Sequence, residues 1–173
     1  VLGLSSTTLF ADGHTQDYRE SGYFIFNTLL FLIGGFLVMW MAAGFAMLET
    51  GLVRSKNAST QLLKNVALFS LASIAYFIVG FNLMYPGDGW IINGWMGGFS
   101  LTGLEPAGVG ADGVDLTYAS VGSDFFFQLM FCAATASIVS GTVAERVKLW
   151  PFLIFTIVLT GIFYPISASW QWG

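Results

Sequence analysis

Long uninterrupted apolar runs, separated by polar or glycine-rich stretches, dominate this 173-residue chain. Four runs reach the roughly 20 residues that a helix needs to cross the hydrocarbon core of a bilayer. They extend from about Tyr23 to Leu48, Val66 to Tyr85, Phe125 to Val143, and Leu149 to Ala168. Inside lipid every backbone N–H and C=O must be paired within the protein, so only helices and closed barrels span it. Barrel strands alternate lipid-facing and lumen-facing residues, whereas these runs are apolar throughout. The pattern predicts four membrane helices and an all-α fold class, a polytopic membrane helix bundle. Small residues crowd the first helix (Gly34, Gly35, Ala42, Ala43, Gly44, Ala46) and the third (Ala133, Ala134, Ala136, Ser137, Ser140, Gly141). Helices in lipid associate by close backbone approach, which small residues permit, so the runs belong to a bundle and not to isolated anchors.

Composition sharpens this picture. Hydrophobic residues make up 55% of the chain and charged residues 9%, with a mean hydropathy of +0.74. A soluble domain carries about 25% charge; this chain could not cover a water-facing surface. The net charge is −4, and no basic stripe interleaved with aromatics is present, which excludes nucleic acid as a partner. The distribution of charge orients the helices. Arg54, Lys56 and Lys64 lie in or beside the link between helices one and two, and Arg146 and Lys148 in the link between three and four; only Arg19 lies elsewhere. By the positive-inside rule that side is cytoplasmic and the N-terminus extracytoplasmic, giving a multi-pass protein of the plasma or inner membrane. Residues 1–22 read as an extracytoplasmic N-terminal segment and 23–173 as the membrane domain. Val1 to Ala11 is apolar and rich in small residues, like a signal-peptide remnant, but no basic n-region precedes it. Both ends are expected to be incomplete.

The link from Pro86 to Ser120 is long, acidic and glycine-rich, with turn signals at Pro86-Gly87-Asp88-Gly89 and Asp112-Gly113. Its Trp90 and Trp95 suit an interfacial belt. Asp112 and Asp115 have the look of cation ligands, but the fuller ligand pattern of a calcium loop is missing, so a solvated turn is expected. Cys132 has no second cysteine for a disulfide or metal site and reads as a small packing residue. His14 reads as a solvated surface residue. Glu49 and the Glu145-Arg146 pair lie at the inner helix ends, where they are expected to cap helices or pair with nearby basic residues, since termini reach water at small cost. No ionisable group is placed at mid-depth, where a proton relay would need one. Nucleotide loop, catalytic triad and zinc spacing are all absent, so neither an enzyme nor a cofactor is expected. What remains is aromatic. Phe125, Phe126, Phe127 and Phe131 cluster at the outer end of helix three, and Trp170 and Trp172 where helix four ends. Aromatic faces attract a desolvating cation; aromatics at an interface also serve as membrane anchors.

Three motifs narrow the reading. Gly44-Phe45-Ala46-Met47-Leu48-Glu49-Thr50-Gly51-Leu52-Val53-Arg54-Ser55-Lys56-Asn57 resembles the end of the first helix in the ammonium transporter (Amt/Mep/Rh) family. Ile138-Val139-Ser140-Gly141-Thr142-Val143-Ala144-Glu145-Arg146-Val147 resembles that family's "GAxAER" segment, and Tyr164-Pro165-Ile166 with Trp170-Gln171-Trp172-Gly173 its "YP…W.WG" segment. They occur in family order and spacing over nearly the whole chain. The resemblance implies that residues 23–173 form four to five helices of the first inverted-repeat half of the ammonium transporter fold, in a homotrimer with one pore per subunit, with a PII-type regulator as a cytoplasmic partner. It implies that the function is ammonium or ammonia transport through a hydrophobic pore, the alternative being an ammonium sensor with the same fold fused to a signalling domain. It implies substrate-binding roles for Trp172, as the outer cation site, for Phe131, as the first-half phenylalanine of a stacked gate, and for Phe127, as another aromatic of that mouth. The buried aspartate and paired pore histidines of the family would lie beyond Gly173. Many members carry a histidine where Ser169 stands; the expectation is altered local hydrogen bonding without a change of transport class.

Overall fold

The structure, a computed structural model, describes residues 5–86, 89–92, 94–99, 101 and 118–172, with side chains from residue 21 onward. Four helices are long and apolar enough to cross a membrane. Helix α1 runs unbroken over Ser5–Leu52, its membrane-capable part being Ser21–Leu52. The others are α2 (Ser55–Met84), α3 (Val121–Thr142) and α4 (Leu149–Trp172). At 32, 30, 22 and 24 residues all exceed the bilayer requirement.

The principal departure from the sequence expectation is at the start of α2. Residues 54–65 read as a polar link, yet only Val53 and Arg54 separate the two helices, and α2 opens with a 3-10 turn at Ser55–Asn57. Lys64, counted above among the basic link residues, is inside the helix and buried. Gln61, Lys64 and Asn65 sit at i, i+3 and i+4, one face of a helix. That face turns into the bundle and not to lipid, so polarity there marks an internal contact. Arg54, Arg146 and Lys148 remain outside the four helices, Lys56 lies in the opening 3-10 turn of α2, and together they define the basic end of the molecule.

Helix α3 is the central element. It packs along α1 and against α2, and α2 packs in turn on α4. Two buried apolar clusters hold the bundle: Tyr76, Phe81, Met84 and Cys132 toward the far end, and Leu68, Ala136 and Phe152 toward the basic end. Cys132 is fully buried, and its thiol donates to the Thr160 carbonyl at 3.4 Å, in keeping with a packing role. Along α1 the large side chains are mostly exposed, Trp40 at 76%, as suits a face turned to lipid tails.

Both α2 and α4 contain one π-turn, at Tyr76–Gly80 and Leu159–Phe163, and the two turns pack on each other. In α4 the cause lies in the sequence: Pro165 has no N–H to continue the helical ladder, and the freed backbone relaxes into a wider turn just before it. Gly80 belongs to the same contact. A Cβ there would lie 2.6 Å from the Tyr76 ring, 3.0 Å from Pro165 and 3.2 Å from the Thr160 carbonyl, so only glycine lets the helices approach this closely.

The link after α2 carries a two-stranded antiparallel hairpin, β1 (Trp90–Ile92) with β2 (Met96–Gly97), which the sequence reading did not expect. Gly94 in its turn has φ +72°, a conformation that glycine adopts without strain. The Gly89 amide donates to the Pro86 carbonyl at 2.7 Å, which agrees with the turn signal there. Asp112, Gly113 and Asp115 lie outside the described residues, and the side chain of His14 lies outside those described.

Candidate substrate-binding site

The expected site residues lie at the end of the bundle opposite the basic links. Ser120 caps α3: its backbone carbonyl and side chain receive the first amides of the helix, the Ser123 N–H reaching the Ser120 hydroxyl at 3.3 Å. Such a cap satisfies donors that otherwise have no intrahelical partner. The same segment is tied to α1. The Ser120 N–H donates to Thr28 Oγ1 at 3.1 Å, and Asn27 Nδ2 to the Tyr118 carbonyl at 2.9 Å.

From this anchored start, four phenylalanines project. They do not form one cluster, as the sequence reading expected. Consecutive residues on a helix point about 100° apart, and the rings go to different neighbours. Phe125 packs on Tyr76, Phe77 and Phe81 of α2, and Phe126 on Phe36 of α1. Phe127 and Phe131, one turn apart, do come together, with ring centroids 4.8 Å apart and planes tilted by 55°. Phe127 also touches Phe31, at 5.0 Å, and Phe31 touches Tyr118, at 5.4 Å. Glycines in α1 make room for this: a Cβ on Gly34 would come within 2.8 Å of the Phe127 ring, and one on Gly35 within 2.6 Å of Phe126. Phe131 itself is 40% exposed. A half-exposed ring beside a second ring is the geometry that offers a π-face to a cation.

Trp172 is half exposed near the end of α4, and among the described residues no ring contact joins it to Phe127 or Phe131. Its neighbour Trp170 is the one held in place. The Trp170 indole N–H donates to the Trp95 carbonyl at 3.0 Å, and the two indoles pack edge to face at 5.7 Å. The hairpin thus braces the end of α4. Ser169 is buried, with its hydroxyl donating to the Ile166 carbonyl at 2.8 Å; a serine closes this bond locally, in line with the expectation for that position. One turn along α3 from Phe131, Thr135 donates to the Phe131 carbonyl at 3.0 Å. Thr135 also lines an apolar cavity of about 340 Å³ whose other walls include Phe163, Tyr164, Ser167 and Trp170 of α4. Neither Phe131 nor Trp172 lines this cavity.

Sequence reasoning missed two buried carboxylates. Asp124, in the first turn of α3, is 8% exposed; Tyr85 hydrogen-bonds to it, and its Oδ1 lacks a partner among the described residues. Glu49, expected at a water-reaching helix end, is only 2% exposed. Gln61 Nε2, Asn65 Nδ2 (2.7 Å) and Ser140 Oγ (2.9 Å) all donate to its Oε2. The stripe Gln61, Lys64, Asn65 is the signal that could have found it. Glu145 does meet the expectation of pairing. Its Oε1 accepts from the Arg54 amide at 3.0 Å, from Asn57 Nδ2 at 2.7 Å and from Arg54 Nε at 3.4 Å. The Arg54 amide and the Asn57 side chain hold its carboxyl below the usual carboxylate range. Among the described residues no group of three or more His, Cys, Asp or Glu converges.

Four helices long and apolar enough to cross a membrane define a multi-pass membrane protein. The chain belongs to the ammonium transporter family, whose model matches residues 29–173. It is 43% identical over 142 residues to the ammonium transporter Amt2 of Archaeoglobus fulgidus, covering 82% of this chain and 28% of that protein. It is 38% identical over 180 residues to a putative ammonium transporter of Synechocystis, covering 100% of this chain and 38% of that protein. Among solved structures it resembles one described as a sensor Amt protein, at 30% identity and a TM-score of 0.73, covering 91% of this chain and 36% of that one. The chain thus spans well under half the length of these relatives, the N-terminal part of the family fold.

Proposed function

We propose that the complete protein carries ammonium or ammonia across a cell membrane, and that this chain supplies its outer recognition site and half of its gate. The family match over residues 29–173 is the observation that carries the reading. Trp172 and Phe131 bind ammonium by cation–π attraction, Phe127 supports the Phe131 ring, and Phe131 blocks hydrated ions. The 4.8 Å approach of Phe127 to Phe131 and the exposed face of Phe131 support this assignment. Selectivity against sodium follows from aromatic recognition and the cost of dehydration. The basic end faces the cytoplasm, by the positive-inside rule, so the N-terminus is outside; the assembly is a homotrimer open to a cytoplasmic PII-type regulator. The curated relatives above bear transporter names, which favours transport over the sensor reading. The test is methylammonium uptake in cells lacking their own ammonium transporters and expressing the complete gene. Uptake above the empty-vector level is expected; equal uptake overturns the transport reading.

A further inference from the structure

The Glu49 carboxylate is unevenly served. Three donors, from Gln61, Asn65 and Ser140, converge on Oε2, while Oε1 is buried without a hydrogen-bond partner among the described residues. A buried carboxylate oxygen left unpaired is costly and calls for a donor. Glu49 has a basic neighbour, Lys64, but no ion pair with it. Lys64 is the charged side chain that α2 presents here, but its Nζ donates to the Ser140 carbonyl at 3.0 Å and sits 5.1 Å from the centroid of the Phe152 ring. Among the described residues no basic group comes within 4.0 Å of Glu49; the one ion pair is Arg54 with Glu145. From α3 the cluster receives only Ser137, Ser140 and Gly141, and Ser137 is spent on Asn65 Oδ1 at 3.4 Å. Gly141 stands close against Oε1: a Cβ there would lie 3.3 Å from it. Finally, Gln61 and Lys64 are shared with a cavity of about 240 Å³ at the basic end, lined also by Asn57, Thr60, Glu145 and Lys148. Glu49 itself does not line that cavity; the two are joined only through Gln61, whose amide donates to Oε2.

We propose that Glu49 forms a second cation site, distinct from the aromatic one, in which Oε1 accepts from a small cation bearing N–H donors, ammonium. The site rests on the transport reading only for the source of its ligand. The three donors on Oε2 fix the carboxylate, and the free oxygen and its negative charge select a cationic donor. Lys64, close by, opposes long residence, so the site suits transit at the inner end and not storage.

The test uses the complete protein, purified and reconstituted. Infrared difference spectra are recorded after adding ammonium chloride at fixed pH, and separately after a pH step without ammonium. A carboxylate band that shifts in the wild type and is absent in Glu49→Gln is expected. A response to ammonium at fixed pH is the expected result; a band that answers the pH step alone reports protonation of the carboxylate itself and overturns the cation site. Gly141→Ala, which keeps the charge but narrows the approach, is expected to weaken the response at least twofold, and it decides the matter should Glu49→Gln fail to fold. In uptake assays Glu49→Gln is expected to lower the maximal rate at least fivefold with KM within twofold of wild type, since the outer site is untouched. Spectra unchanged by both substitutions overturn the proposal. A complete protein without any uptake overturns the transport reading, and the spectra still decide the Glu49 site.

Discussion

Phe131 and Trp172 each present an exposed aromatic face near the far end of the bundle. A cation–π contact is worth about 0.5–2 kcal/mol according to how far water is excluded, or about threefold to thirtyfold in affinity at about 1.4 kcal/mol per factor of ten. Trp172→Ala in the complete protein is therefore expected to raise the KM for methylammonium by about that factor. An unchanged KM would remove Trp172 from the outer site. At the other end, Glu145 adopts φ +59°, a conformation uncommon outside glycine, and from there its carboxylate reaches Arg54 and Asn57. Because the folded carboxyl titrates below its unfolded value, the contribution of this contact is complete above the unfolded value. It is lost as pH falls through the lowered folded one. Amide exchange at Arg54, once corrected for the intrinsic effect of pH, is expected to lose protection in that acidic window. Protection that persists below it, or that is equally low in Glu145→Gln at neutral pH and in the wild type, would show the contact to be idle.

At the scale of elements, the α1–α3 interface rests on glycine against phenylalanine. Gly34→Ala places a methyl 2.8 Å from the Phe127 ring. Overpacking of this kind costs about 1–3 kcal/mol, so a lowered thermal midpoint of the purified complete protein is expected, with Gly44→Ala, which meets open space, as the silent control. An equal midpoint in both would mean that Phe127 turns aside freely. The length and apolar character of all four helices were legible in the sequence, because lipid imposes both. The start of α2 was not: a polar side chain looks the same whether it faces water or a buried carboxylate, and only the partner on α1 tells them apart. The split of Phe125, Phe126 and Phe127 among three neighbours follows from helical geometry alone, but which neighbour each meets depends on tertiary packing. The pairing of Trp95 with Trp170 joins residues 75 apart in sequence, which no local pattern announces.

For the whole molecule, the resemblance in three motifs anticipated the family, and the match over residues 29–173 bears it out. The site assignments built on that resemblance are a matter for experiment. The chain holds one side of the proposed pore, so residues 1–173 reconstituted alone are expected to give no methylammonium flux above protein-free liposomes. Flux from the fragment would mean that four helices suffice. Orientation has its own test: in intact cells expressing a cysteine-free background, Lys56→Cys is expected to resist a membrane-impermeant thiol reagent until the cells are opened. Labelling in intact cells would invert the topology.

The facing π-turns of α2 and α4 bear on how such a protein can change over time. A π-turn holds one residue more than the α-helix it interrupts, so the spans stay membrane-sized while everything past the turn is rotated by about 100°. In each helix the half near the basic end and the half near the far end are set at independent phases. Deleting one residue within Leu159–Phe163 would let the wide turn close to an ordinary α-turn, with the buried Thr156 and Phe152 on one side and Trp170 and Trp172 on the other keeping their present directions. A single-codon insertion or deletion can therefore be taken up at these turns, with the tryptophans at one end and the inner half of the bundle at the other both left in register.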